Sequence, residues 1–175
     1  PQSMPLTGLS EGALDQAISD RERIISRIAA FADSDMLYYR ADETQTALAE
    51  RQAAEWDPLL EWARARYDVS FDLIHGIMHR PQPKQTIVRL TGVVAAQGNF
   101  TIAAMLSLAG LTGSLIATLA IVEGKHDPQT LWPLVNLEEL WQEEQWGGDD
   151  LAIAARRIKQ AEFETAAQFL DLSRS

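Results

Sequence analysis

The chain has 175 residues, no cysteine, a formal net charge of -10 and an isoelectric point near 4.7. The missing cysteines exclude disulfides, thiolate metal sites and cysteine nucleophiles, and the acidic balance argues against nucleic acid or an anionic membrane as partner, since both need a basic footprint. By length it is one domain, 1–175, large enough to bury roughly 70% of the surface an unfolded chain exposes.

Thr7 is placed to cap a first helix, in which Leu14, Ile18, Arg21, Ile25, Ile28 and Ala32 keep a helical stripe to about residue 32. Asp33, Ser34 and Asp35 stop it, and Met36 to Tyr39 is a short apolar piece, strand or turn. A polar helix is expected from about Thr46 to Glu55. Asp57-Pro58 then reads as a cap and a first-turn proline that open a separate helix to about Tyr67. Val69, Phe71 and Leu73 alternate with Ser70 and Asp72, the period-two pattern of a short strand, closed by Gly76 and Pro81-Gln82-Pro83. Pro83 starts a helix to Gln97, and Gly98-Asn99 breaks it.

From Phe100 to Val122 there is no charged residue. The run is long enough to cross a bilayer. Its five hydroxyl residues, Gly110 and Gly113, and the lack of a second apolar run or a flanking basic cluster fit a buried helix better. Leu108, Leu111, Leu115, Leu119 and Val122 form one side, and Ala103, Gly110, Gly113, Ala117 and Ala120 a small-residue side. The expected fold is mainly α, a multihelical domain around this central buried helix (about Phe100 to Glu123), with at most a short β element near Val69 to Leu73. Asp127-Pro128 opens an acidic helix that Pro133 should kink or interrupt, and Gly147-Gly148 ends it. Asp149 caps a last helix with an apolar face of Leu151, Ala154, Ala155, Ile158, Ala161, Ala166 and Phe169.

Two constellations could carry chemistry. His75 and His79 stand four apart, as metal ligands on a helix would, but Gly76 and Pro81 interrupt the segment and no glutamate accompanies them as a zinc hydrolase requires. No nucleophile elbow, phosphate loop or dinucleotide fingerprint occurs. The second constellation is the stretch between Lys125 and Arg156, which has no basic residue but holds Asp127, Glu138, Glu139, Glu143, Glu144, Asp149 and Asp150 among Trp132, Trp141 and Trp146. Leu134, Leu137 and Trp141 define the inward stripe of its helix. Glu139 and Glu143 point outward with like charge, at a cost of a few tenths of a kcal/mol. Glu144 flanks the apolar stripe, where a carboxylate needs a partner. That partner is either internal, such as Arg51, Arg89 or Arg156, or the cation of a docking protein.

Four segments, RQAAEWDPLLEW at Arg51 to Trp62, LTGSL at Leu111 to Leu115, Glu123-Gly124, and WQEEQWG at Trp141 to Gly147, together resemble the assembly chaperones of F-type ATP synthase that attend the α subunit. Pro5 to Thr7 matches as well, so the resemblance covers nearly the whole chain. It implies a non-enzymatic holdase, without cofactor, metal or small-molecule substrate, that binds the α subunit and shields its β-subunit interface. It further implies that this is the helical C-terminal domain of a longer protein whose β-rich N-terminal domain is absent, working in the bacterial cytoplasm (in the mitochondrial matrix of a eukaryote). The twelve arginines against three lysines favour the bacterial case. Glu144 is the first candidate for client recognition, with Trp146, Gln142, Glu143 and Asp57 of the matching segments and Glu139 of the same acidic run beside it. Arg51, Gln52 and Gly147 also match, and Trp56 and Pro58 are architectural. The competing reading is a small hydrolase or transferase that uses carboxylates of Glu138 to Glu144 with His75 or His79.

Overall fold

The computed structural model describes residues 11–12 and 20–174, so Thr7, Leu14 and Ile18 lie outside the described residues. The helices are α1 (Arg21–Ala29), α2 (Phe31–Ser34), α3 (Thr46–Tyr67), α4 (Lys84–Ala95), α5 (Asn99–Thr112), α6 (Leu115–Val122), α7 (Pro128–Val135), α8 (Leu137–Trp146) and α9 (Asp150–Leu172). Two short strands, β1 (Tyr39–Arg40) and β2 (Ile74–His75), pair in parallel. The fold is mainly α, as the periodicity implies. Where one helix to residue 32 was expected, α1 ends at Ala29 and the four-residue α2 follows, with Ile24, Ile28 and Ala32 buried.

The uncharged run is buried at the centre, but as two helices rather than one. α5 packs on α1, α6 and α9, and every residue of α6 is buried. Gly113 adopts a left-handed backbone (φ 67°) that ends α5, and the Ser114 hydroxyl accepts from Ala117 N–H at 2.9 Å to start α6. A helix start inside a core exposes amide groups that water cannot reach. Asp35, fully buried, meets them: its carboxylate accepts from Ile116 N–H at 2.9 Å and from Leu37 N–H at 3.0 Å. Met36 N–H in turn donates to the Gly113 carbonyl at 3.0 Å. The residues that end the first helix thus also break the central one.

The separate helices expected on either side of Asp57-Pro58 are one, α3, of 22 residues. Proline there forgoes one backbone bond, but Leu48, Gln52, Trp56, Leu59, Leu60 and Ala63 bury a continuous face across it. Nor is residues 69–73 a strand. Phe71 is buried and stacks on Tyr38, ring centres 5.1 Å apart, while side chains satisfy the backbone: Thr86 bonds both N–H and C=O of Ser70, and Gln82 those of Asp72. With those groups taken, strand pairing begins only at Ile74.

Asp127 caps α7 as expected, and Pro133 sits within it without ending it. The acidic segment divides at Asn136, whose side chain bonds the Trp132 carbonyl at 2.8 Å, and α8 begins at the next residue. Of the apolar face expected on α9 only Ala166 and Phe169 are buried, and Phe163, Ala167 and Leu170, which lie outside that expected face, pack beside them. Leu151, Ala154, Ala155, Ile158 and Ala161 face solvent, because α5 and α7 cover only the C-terminal part of this long helix.

Candidate protein-binding surface

Four glutamates and no basic residue make α8 self-repelling, so what holds it must come from elsewhere in the chain. Two side chains of α3 do this from one side, and a third, Trp56, holds the preceding helix α7. Arg51 makes a two-pronged ion pair with Glu144, at 2.5 and 3.1 Å, and lies over the Trp141 ring at 5.8 Å. Buried Gln52 donates to Glu138 at 2.7 Å while its carbonyl accepts from Ala41 N–H at 2.7 Å. Buried Trp56 donates its indole N–H to the Leu134 carbonyl at 2.8 Å. From the other side Arg156 of α9 grips Glu143 at 2.5 and 2.9 Å and reaches Glu139 at 3.3 Å.

These pairs set the electrostatics. Hydrogen bonding to Arg51 holds the Glu144 carboxyl below the usual glutamate range, and Arg156 does the same for Glu143. Both arginines are pushed further up by their carboxylate partners. Of the two partners open to Glu144, the internal one is present, and it is Arg51. The pair is not sealed, since 51% of the Glu144 side chain remains exposed. Asp57 points to a different anchor: it accepts at 2.6 Å from Arg40, whose side chain is only 3% exposed and lies over Trp56 at 5.2 Å.

Of the inward stripe, Leu137 is buried and Leu134 and Trp141 half-buried, while Glu139 and Gln142 face out. The tryptophans divide accordingly. Trp56 and Trp132 are core, Trp62 and Trp141 lie at its edge, and Trp146 is 79% exposed at the end of α8, where Gly147 turns the chain with φ 86°. Between α8 and α9 an open cleft of about 390 Å³ is lined by Glu139, Gln142, Trp146, Ala155, Arg156 and Lys159, among others. An indole beside mixed charges suits a peptide surface, a large apolar contact inside a charged rim. Sequence reasoning missed Arg40 and Gln52 as organisers of this surface. Gln52 stands within a segment that had been singled out, but Arg40 carries no local signal.

The histidines are elsewhere. His75 ends β2, and His79 lies in the following loop, bonded to the Tyr39 hydroxyl at 3.0 Å and to Asp33 at 3.2 Å. Among the described residues no three histidine, aspartate or glutamate side chains converge as metal ligands, and no helix is long and apolar enough to cross a membrane. The carboxylates of α8 engage Arg51, Gln52 and Arg156.

The class is a mainly helical domain that presents an ion-paired acidic helix beside an exposed tryptophan. Residues 1–64 match the family model described as ATP12 chaperone protein. The crystal structure of Atp12 from Paracoccus denitrificans is similar over 97% of this chain and 72% of that one, at 31% identity and a TM-score of 0.92. The structure of a chaperone candidate from Agrobacterium tumefaciens is similar over 91% of this chain and 59% of that one, at 35% identity and a TM-score of 0.85. The chain belongs to the ATP12 chaperone family.

Proposed function

We propose that this chaperone serves assembly of the F-type ATP synthase head in the bacterial cytoplasm, binding the newly made α subunit and shielding the surface that the β subunit later covers. The observation that carries the reading is Trp146, a large aromatic side chain left in solvent beside the α8–α9 cleft. Exposing an indole there gains nothing for the fold, whereas aromatic anchors are the usual energetic centre of a protein interface. Glu144, Glu143 and Glu139 form the acidic rim, with Gln142 as a neutral hydrogen-bonding group. A basic client side chain shares Glu144 with Arg51 rather than finding it bare. Asp57 contributes indirectly, by fixing Arg40 over the Trp56 ring.

Such a surface holds a client at moderate affinity. Rim charges act mainly on encounter rate, and the final partner displaces the chaperone by burying more area. The reading is tested by Trp146→Ala in the intact protein: capture of unfolded α subunit falls about tenfold or more with the circular dichroism spectrum unchanged. Unchanged capture would remove Trp146, and with it this placement of the client surface.

A further inference from the structure

A second surface lies where the C-terminal half of α9 meets α5. Leu106, Ser107, Gly110 and Leu111 of α5 and Ala161, Glu162, Thr165 and Ala166 of α9 line an open, mostly apolar groove of about 600 Å³. At 100° per residue, Leu151, Ile158, Glu162 and Thr165 fall on one side along α9. Leu151 and Ile158 are 82% and 63% exposed, so the groove continues as an uncovered apolar stripe. From residue 151 to residue 165 it runs about 21 Å, the length of roughly four helical turns. Its floor is built of small side chains, and a Cβ placed on Gly110 would meet nothing within 4 Å. Small side chains along a stripe of that length let a helix approach closely.

Glu162 is the charged residue in this stripe. It lines the groove, and among the described residues no hydrogen bond or ion pair engages it. A wholly apolar helix laid here would cover that carboxylate unpaired, at a large desolvation cost, whereas a cation opposite it converts the cost into a directed contact. We propose that the α5–α9 groove receives an amphipathic α-helix whose apolar face carries one arginine or lysine opposite Glu162. This deepens the chaperone reading, on which it rests only for the owner of that helix, a segment of the α subunit. The groove's preference belongs to this chain and is testable without the client.

The test uses three stapled helical peptides of about 18 residues, with identical Leu/Ala faces except for a central Arg, Leu or Glu, titrated by fluorescence anisotropy. The expected result is that the Arg peptide binds at least tenfold tighter than the Glu peptide, and that Glu162→Arg reverses the order. Gly110→Leu, which fills the groove from a helical position with free space, weakens binding of all three. Equal binding of the three peptides, no binding, or indifference to Gly110→Leu overturns the proposal. A concentration-dependent dimer abolished by Gly110→Leu would give the groove to a second copy and overturn it too. Capture of the α subunit by the unaltered protein is scored separately, so the groove can fail while the chaperone reading stands.

Discussion

Arg51 and Glu144, 93 positions apart, meet in a two-pronged ion pair that fastens the acidic helix α8 to α3. The contact has two readings, a clamp for the fold or a carboxylate held ready for a client, and charge exchange separates them. Glu144→Arg should reduce α-subunit capture about tenfold with little loss of stability, because the pair is largely solvent-exposed. Combining it with Arg51→Glu rebuilds the clamp with its charges reversed. If Glu144 contacts the client, capture stays low in the double variant; full recovery of capture would make the pair purely structural.

Trp56 is a stability residue. Trp56→Phe removes the bond to the Leu134 carbonyl and opens a small cavity at a site with no solvent access. A loss of about 2–3 kcal/mol in chemical denaturation is expected. A loss below about 0.5 kcal/mol would mean that α7 is not held to α3 through this indole.

Asp57→Ala should also act on the fold before it acts on the client. Arg40 stays buried and loses its carboxylate, at a cost of about 1–3 kcal/mol, discounted because Asp57 itself is part-exposed. Arg40→Met removes both the charge and its need for a partner. Its double variant with Asp57→Ala should therefore be more stable than Asp57→Ala alone, which thermal denaturation can check.

Much of this architecture was legible in local pattern. The mainly α class, the buried uncharged run, the caps at Asp127 and Asp149, and the separation of α8 from α9 at Gly147 follow from periodicity and punctuation. What was not legible depended on partners distant in sequence. Gly113-Ser114 breaks the central helix only because Asp35 is there to accept its amide groups, and Pro58 fails to break α3 only because a continuous buried face spans it. Thr86 and Gln82 turn an alternating strand pattern into side-chain-bonded coil. The spacing of apolar residues on α9 did not reveal which of its faces another helix covers: the buried side takes in Phe163, Ala167 and Leu170, whereas Leu151 and Ile158 of the expected face stay exposed. Glu144 was placed on the flank of α8 by helical geometry, whereas the choice of Arg51 over Arg89 or Arg156 needed the tertiary fold.

Asp35 makes stability depend on pH. Burial pushes its carboxyl up to about 6 from 3.8, against the opposing pull of the Ile116 and Leu37 amides. The folded state therefore binds the proton more tightly than the unfolded state, and this contribution is fully present below 3.8 and lost as pH rises through about 6. Glu143, Glu144 and Asp127, all held below their ordinary values, act the other way, and their contribution is lost only as pH falls below the usual carboxylate range. The melting temperature should rise as pH is lowered from 7 to 5 and fall again under stronger acid. Asp35→Asn should flatten the upper limb; the same slope in the variant would remove Asp35 as its source.

The central claim is tested most directly by diluting unfolded ATP synthase α subunit, and in parallel β subunit, into this protein and resolving the mixtures by size exclusion. The account predicts a discrete complex with α and none with β, weakened by Trp146→Ala. Equal capture of both subunits, or of neither, would contradict it.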